Sequence, residues 1–309
     1  MITVQENITL APLTSFRIGG EARFYVEVKS VEELREALDF AKEKKLDFYV
    51  LGGGTNLLVS DKGFAGIIIR MKINEICADD ETLTVSAGVP LIKAINVSAA
   101  EELAGLEPLA GIPGTVGGAV RGNAGAFGSE IAKFIQSVKA LNSKTGEMEI
   151  FDAAQCDFSY RSSIFKKNKD YIVISVTLKL QKGSQEEIQK KISETVAKRT
   201  SRGLHGVKSA GSFFMNPVVS DPELCALFEK ENGVAQKDDK LPAGWVIDQA
   251  DLRGKKIGGA QISELHANYI INADNATAED VIMLVSFVKQ QVRDKFGVQL
   301  NEEVNYLGF

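Results

Sequence analysis

Histidine and cysteine are scarce in this 309-residue chain, which holds two of the former and three of the latter. Cys77, Cys156 and Cys225 are scattered, odd in number and in no metal-ligand spacing, so they predict neither a disulfide framework nor a thiolate metal site. His205 and His266 alone argue against a histidine-based zinc site, and no metal is expected. The thiols read as reduced and buried, as in a cytoplasmic protein. Basic residues are not in excess. The 36 Lys and Arg against 41 Asp and Glu leave a net charge of −5, which gives no footprint for nucleic acid. No apolar run approaches the roughly 20 residues that span a bilayer. Residues 1–6 lack the basic start and apolar core of a signal peptide, so no membrane association and a cytoplasmic location are expected. Internal repeats and low-complexity segments are also missing.

What stands out instead is glycine in clusters. Leu51-Gly52-Gly53-Gly54-Thr55-Asn56 follows Asp47-Phe48-Tyr49-Val50, a short apolar run that reads as a buried strand ending at the glycines. Consecutive glycines permit positive φ and close approach of the backbone to another molecule. Their successive amides suit phosphate oxygens, and Thr55 and Asn56 add side-chain donors. A permissive turn between strands is the plain alternative. The second cluster, residues 110–128, holds Gly111, Gly114, Gly117, Gly118, Gly122, Gly125 and Gly128 with almost no large side chains. Such a segment makes no core of its own and is expected to pack around a ligand. Neither cluster has the Lys-Ser/Thr of a Walker loop or the Gly-x-Gly-x-x-Gly dinucleotide turn. Two glycine loops of another kind, suited to a long diphosphate cofactor, point to a flavin.

Along the chain, a strand is expected at 23–28. A helix capped by Ser30 and Glu33 runs to about 45, and a strand covers 66–70. The next region, 72–182, is read as a strand at 82–87, a helix at 90–103, a hairpin of 137–142 with 147–151, and a strand at 171–180. A charged helix from 183 to about 202 follows. A short helix at 222–231 and a long one at 278–296, capped by Thr277 with Asp280 at its third position, lead to a terminal strand at 299–308. Mixed strands and helices with few βαβ repeats predict an α+β organisation.

Several polar residues interrupt otherwise structural sequence. Arg17 precedes Gly19 and Gly20, in either a surface turn or a loop that reaches the cofactor. Arg161 lies between aromatic residues in 157–166 and suits a carboxylate, with a surface ion pair as the alternative. Ser212 sits between Gly211 and the pair Phe213-Phe214, where a dry hydroxyl can donate a proton or simply cap the backbone. Residues 253–268 mix Arg253, Lys255 and Lys256 with Gly258, Gly259, Gln261 and Asn268, a set suited to sugar hydroxyls and phosphates or to an exposed turn. Glu302 and Glu303 occupy the terminal strand on opposite faces, and alternation does not choose between them.

These motifs, in this order, resemble the UDP-N-acetylenolpyruvoylglucosamine reductase family over nearly the whole chain. The resemblance rests on the runs Leu51 to Leu58, Gly111 to Ala119, Tyr160-Arg161-Ser162-Ser163, Ser209 to Phe214, Leu241 to Trp245, Gly258 to Ser263 and Leu300 to Val304. It implies a vanillyl-alcohol-oxidase-like (PCMH-type) FAD-binding fold in two lobes, 1–71 and 72–190, with the FAD domain at about 17–182. It also implies an α/β substrate-binding domain at 191–309 whose last strand returns to the active site. The length matches the shorter class of the family. FAD contacts are implied at Leu51, Gly52, Gly53, Gly54, Thr55, Asn56, Leu57, Gly111, Ile112, Gly114, Thr115, Gly117 and Gly118. By the same resemblance Arg161 and Glu303 flank the substrate carboxylate and Ser212 is the proton donor. Asn216, Gln261 and Lys208 are the expected substrate contacts. NADPH would reduce the flavin, which then reduces UDP-N-acetylglucosamine enolpyruvate in a monomeric enzyme of cell-wall precursor synthesis. Three departures from the family pattern are Met215 in place of a lysine, Ser162 in place of an aspartate, and no Gln-Pro in 202–208. A thioether neutralises no diphosphate, and Lys208 is the expected compensation. The competing readings are a flavin oxidase of the same fold and a sugar-nucleotide-binding protein without catalysis.

Overall fold

Ser30 opens the first helix as its capping signal predicts. Its hydroxyl accepts the Glu33 amide at 3.1 Å, and Val31–Glu43 buries Leu34, Ala37, Leu38 and Ala41 at helical spacing. The computed structural model describes residues 1–309 except Arg202 and His205; the helix end expected at 202 and the His205 part of the 202–208 turn lie outside the described residues. That charged helix is observed over Gln185–Thr200.

The helix Val31–Glu43 packs on a four-stranded sheet ordered Gln5–Thr9, Glu21–Val28, Phe64–Met71 and Phe48–Leu51. Phe64–Met71 places Ile67, Ile69 and Met71 on the helix-facing side, as the two-residue repeat of a strand requires. Phe48–Leu51 runs parallel to it, with Leu51 opposite Arg70, so Gly52, Gly53 and Gly54 emerge at the carboxyl end of a strand. A second, wholly antiparallel sheet is ordered Met148–Asp152, Ile135–Asn142, Tyr171–Lys179, Thr82–Ser86 and Ile76–Asp79. Its expected hairpin closes with the Asn142 amide on the Glu147 carbonyl at 2.9 Å and Gly146 at φ +74°. Leu83, Val85, Val138, Val176 and Leu178 join Ile67 and Ile69 in one apolar core. Each such side chain contributes about 1.5–3 kcal/mol on burial.

A separate core lies around the helix Ala278–Phe296. Val281, Leu284, Val285, Val288 and Val292 form its buried stripe, and Thr277 and Asp280 complete a reciprocal capping box. The associated antiparallel sheet is ordered Ser209–Ser212, Tyr269–Asn272, Ala260–Ile262 and Lys256–Ile257. Two early segments belong to this core: Phe16, Ile18 and Leu58 are fully buried in it. Leu57–Val59 pairs in parallel with Asn305–Leu307, and Asp61 accepts the Ala278 amide at 2.8 and 3.0 Å.

The chain therefore groups into one unit of Met1–Ile8, Ala22–Gly54 and Ala65–Gly203, and another of Thr9–Glu21, Thr55–Phe64 and Leu204–Phe309. This grouping differs from the contiguous division 1–71, 72–190 and 191–309, because distant strand pairing recruits the early segments. Smaller expectations also change. The terminal strand is confined to Asn305–Leu307, and the helix 90–103 ends as Leu91–Ala100. Leu103–Ala104 instead pairs with Gln181–Lys182. Of the three free thiols only Cys156 is buried; Cys77 is exposed and Cys225 intermediate. Burial, reinforced by Asp152, pushes the Cys156 thiol up to about 12, out of the nucleophilic range.

Candidate active site

In the first unit the two glycine clusters meet. A Cβ on Gly52 would lie 2.7 Å from Thr115 Oγ1, and Gly54 has φ +66°, so neither position accommodates a side chain without strain. Thr115 Oγ1 accepts the Gly118 amide at 3.4 Å and starts the short helix Val116–Arg121. Gly117 is small for a packing reason: a Cβ would lie 2.7 Å from Ala87 Cβ, and its amide donates to the Ala87 carbonyl at 2.9 Å. Gly111 lies against Arg199, whose Nη1 donates to its carbonyl at 3.4 Å. Gly114, at φ +117°, accepts the Leu91 amide at 3.0 Å, and Ile112 closes a turn onto the Leu109 carbonyl at 3.1 Å. Gly118 has ordinary space above it, with Thr115 Oγ1 at 3.6 Å from a built Cβ. The glycines thus divide between packing and access.

Arg161 is fixed to the same segment. Ser159 and Ser162 exchange backbone bonds at 3.1 and 3.0 Å, leaving Tyr160 and Arg161 at the tip of a tight turn with Arg161 at φ +57°. Left-handed backbone at an arginine costs about 1–2 kcal/mol, so surrounding bonds must enforce it. Arg161 Nη2 donates to the Gly125 carbonyl at 3.1 Å, and its guanidinium carbon lies 5.2 Å from the Tyr160 ring centre. Lys166 Nζ donates to the Arg161 carbonyl at 2.9 Å. Asn123, 1% exposed, donates from Nδ2 to the Ser159 carbonyl at 3.0 Å and to Glu130 at 2.8 Å, while its Oδ1 accepts the Ala132 amide. Fully buried Ser163 donates to the Arg121 carbonyl at 2.7 Å.

In the second unit Ser212 follows an irregularity in the strand. Ser209 pairs with Ile271 but Ser212 with Tyr269, so one extra residue is accommodated, with Gly211 at φ +80°. Such a bulge re-aims the following side chain. Phe213 and Phe214 are fully buried and anchor the segment from below. Asn268 brackets it: its carbonyl accepts the Phe213 amide at 2.7 Å, its Oδ1 accepts the Phe214 amide at 2.9 Å, and its Nδ2 donates to the Phe214 carbonyl at 2.8 Å. On the other side, the Glu303 amide donates to the Phe213 carbonyl at 2.8 Å and the Met215 amide to the Asn301 carbonyl at 2.9 Å. Ser212 and Glu303, 91 positions apart, are therefore neighbours. Glu302 accepts from Lys289 Nζ at 2.9 Å, so it has an ion-pair duty toward the helix Ala278–Phe296.

The remaining expected residues are placed as follows. Lys208 is exposed at the start of the Ser209–Ser212 strand, and its carbonyl accepts the Asn272 amide at 2.9 Å. Asn216 Oδ1 accepts the Ala243 amide at 3.1 Å, and Gln261 Nε2 donates to the Gly254 carbonyl at 3.3 Å, so both have structural duties. Met215 is half-buried, with its thioether carrying no charge. Arg17 turns back onto the Pro12 carbonyl at 2.6 Å. Leu51 and Leu57 are buried strand residues, while Gly53 and Thr55 are half-buried. Asn123 and Asn268 as positioning residues were not foreseen from sequence. Their role depends on tertiary partners, and a single asparagine after Gly122 or Ala267 carries no local signature. Among the described residues no cluster of His, Cys, Asp and Glu gathers for a metal, and no helix is long and apolar enough to cross a membrane.

The loops fit FAD on two grounds. Residues 51–57 and 110–118 contain no acidic side chain to repel a diphosphate. Asn56 Oδ1 is buried with no hydrogen-bond partner, the mark of an acceptor completed by a bound group.

The model of the FAD binding domain matches residues 22–152, and that of the UDP-N-acetylenolpyruvoylglucosamine reductase C-terminal domain matches residues 202–307. A UDP-N-acetylenolpyruvoylglucosamine reductase of Solibacter usitatus is 36% identical over 308 residues, covering 99% of this chain and 97% of its own. Its namesake from Carboxydothermus hydrogenoformans is 41% identical over 309 residues, covering 99% and 94%. The crystal structure of the reductase from Thermus caldophilus matches with a TM-score of 0.77 at 31% identity, covering 100% of both chains. An FAD-binding α+β fold and a full-length match have one conclusion: the chain belongs to the UDP-N-acetylenolpyruvoylglucosamine reductase family of flavin-dependent oxidoreductases.

Proposed function

We propose that the protein reduces the enolpyruvyl ether of UDP-N-acetylglucosamine enolpyruvate to the lactyl ether of UDP-N-acetylmuramate, with NADPH as reductant. FAD, when bound, supplies the two-electron carrier that accepts hydride from NADPH and passes it to the alkene carbon remote from the carboxylate. As charge builds on that carboxylate, Arg161 offers a permanent cation. Glu303, in its neutral form, donates a hydrogen bond to the same group. Ser212 gives its hydroxyl proton to the carbon beside the carboxylate and regains one from solvent. Serine is a weak acid, so its placement rather than its acidity carries the step. Lys208 offsets substrate diphosphate charge where Met215 supplies none. Asn216 and Gln261 serve as further polar contacts of the sugar nucleotide.

The observation that carries this reading is the 2.8 Å bond from the Glu303 amide to the Phe213 carbonyl, which supports Ser212 and Glu303 acting on one small group. On this reading the protein acts as a cytoplasmic monomer in peptidoglycan precursor synthesis, and through it in cell shape, division and the cell cycle. Anaerobic stopped-flow absorbance tests the reaction. The flavin should bleach with NADPH and recover its oxidised spectrum rapidly on mixing with the enolpyruvyl substrate. Recovery with oxygen alone would instead assign an oxidase.

A further inference from the structure

Asn56 has a bonding pattern that the expected role of a phosphate donor does not explain. Its Nδ2 donates to the Glu303 carbonyl at 3.3 Å. Its own main-chain carbonyl accepts two bonds from Asn305, one from the amide at 3.2 Å and one from Nδ2 at 3.1 Å. Asn56 also immediately precedes Leu57–Val59, the strand that pairs in parallel with Asn305–Leu307. Three hydrogen bonds thus join this single residue to the segment 303–305, two of them to its backbone and one to the Asn305 side chain.

The side-chain oxygen is the atom left over, buried and without a partner. The amide orientation is fixed by chemistry: the opposite orientation would set two acceptors, Oδ1 and the Glu303 carbonyl, against each other. An acceptor gains nothing from diphosphate oxygens, which are acceptors too. It requires an O–H or N–H. FAD carries such donors on its ribityl and ribose hydroxyls and on its flavin imide.

We infer that Asn56 is a positioning residue that accepts a hydrogen bond from a hydroxyl or imide N–H of FAD while its Nδ2 holds the Glu303 backbone. Cofactor binding and the placement of Glu303 are thereby linked through one side chain. The inference rests on the proposed role of Glu303 and extends it.

The test compares the full-length wild type with Asn56→Leu, which keeps the side-chain size and removes both polar atoms, and with Asn305→Ala, which loosens the segment without touching the acceptor. Flavin fluorescence gives the FAD dissociation constant, and stopped-flow gives the two half-reactions at saturating FAD. Asn56→Leu should weaken FAD about tenfold, the size of one lost hydrogen bond in a buried setting. It should leave reduction by NADPH within about twofold of wild type, slow reoxidation by the enolpyruvyl substrate about tenfold, and displace the pH profile of that step. Asn305→Ala should slow reoxidation without altering FAD affinity. Unchanged FAD affinity in folded Asn56→Leu overturns the acceptor role, and equal slowing of both half-reactions overturns the link to Glu303. Should Asn56→Leu not fold, Asn56→Ala carries the same readouts with less steric demand and likewise removes both polar atoms. A wild type that binds FAD but is not reoxidised by the enolpyruvyl substrate defeats the proposed function instead. A reoxidised wild type beside an identical variant defeats only this inference.

Discussion

Arg161 and Ser212 are both placed by unusual backbone, yet different forces hold them. Arg161 sits at φ +57° on a tight turn whose position depends on side chains: Asn123 on the Ser159 carbonyl, Ser163 on the Arg121 carbonyl, and its own guanidinium on the Gly125 carbonyl. Ser212 sits after a bulge whose flanks are secured by main-chain bonds to Asn268, Asn301 and Glu303 above two buried phenylalanines. Arg161 is braced by contacts that one substitution can remove, whereas Ser212, the proposed proton donor, is largely built into the sheet. Asn268 is the exception, because its side chain replaces a strand partner for Phe214.

The comparison breaks most severely at that exception. Asn268→Ala leaves the buried Phe214 amide and carbonyl without their side-chain partners, a loss of about 3 kcal/mol in urea denaturation. A loss below about 1 kcal/mol would show that these peptide groups find other partners. Asn123→Ala should cost less, about 2 kcal/mol, but should loosen Arg161 and raise the substrate KM more than it lowers kcat. An unchanged KM would mean that the turn at 159–162 holds without its brace.

Thr277→Ala removes a cap whose hydrogen bonds serve the start of its own helix, so it should cost about 1 kcal/mol and leave the half-reactions alone. Equal damage to catalysis would blur the distinction between site bracing and general stability. The smallest effect concerns pH. Hydrogen bonds from the Thr277 and Gly259 amides hold the Asp280 carboxyl below its usual value. A depressed carboxyl stabilises the fold fully above its unfolded value, about pH 3.9, and loses that contribution as pH falls through the folded value. Asp280→Asn should therefore flatten the acid limb of the stability profile, and an unaltered limb would remove Asp280 from it.

What the sequence revealed follows from locality. The helix Ala278–Phe296 and its Thr277 cap, the helix opened by Ser30, and the hairpin around Gly146 are governed by residues within four positions of one another, so their boundaries were readable. The recruitment of Thr9–Glu21 and Thr55–Phe64 into the second unit was not, because it rests on pairing of Leu57–Val59 with a strand almost 250 residues later. The same long-range pairing shortened the expected terminal strand. In the candidate site, residue types marked Arg161, Ser212 and the glutamate pair, strand alternation left that pair undivided, and only the family resemblance singled out Glu303. Glycine spacing announced the loops without separating Gly117, needed for packing on Ala87, from Gly118, which has ordinary space. Asn56 was taken for a donor to phosphate. Its buried, unpartnered oxygen becomes visible only in three dimensions.

The most direct test is the pair of half-reactions of Ser212→Ala, measured anaerobically by stopped-flow absorbance on the folded protein. A proton donor set in the sheet beside Glu303 predicts reduction by NADPH at the wild-type rate. Reoxidation by the enolpyruvyl substrate should be slowed about a hundredfold or more, the scale of a lost general acid. Wild-type reoxidation, or equal slowing of both steps, would contradict the account.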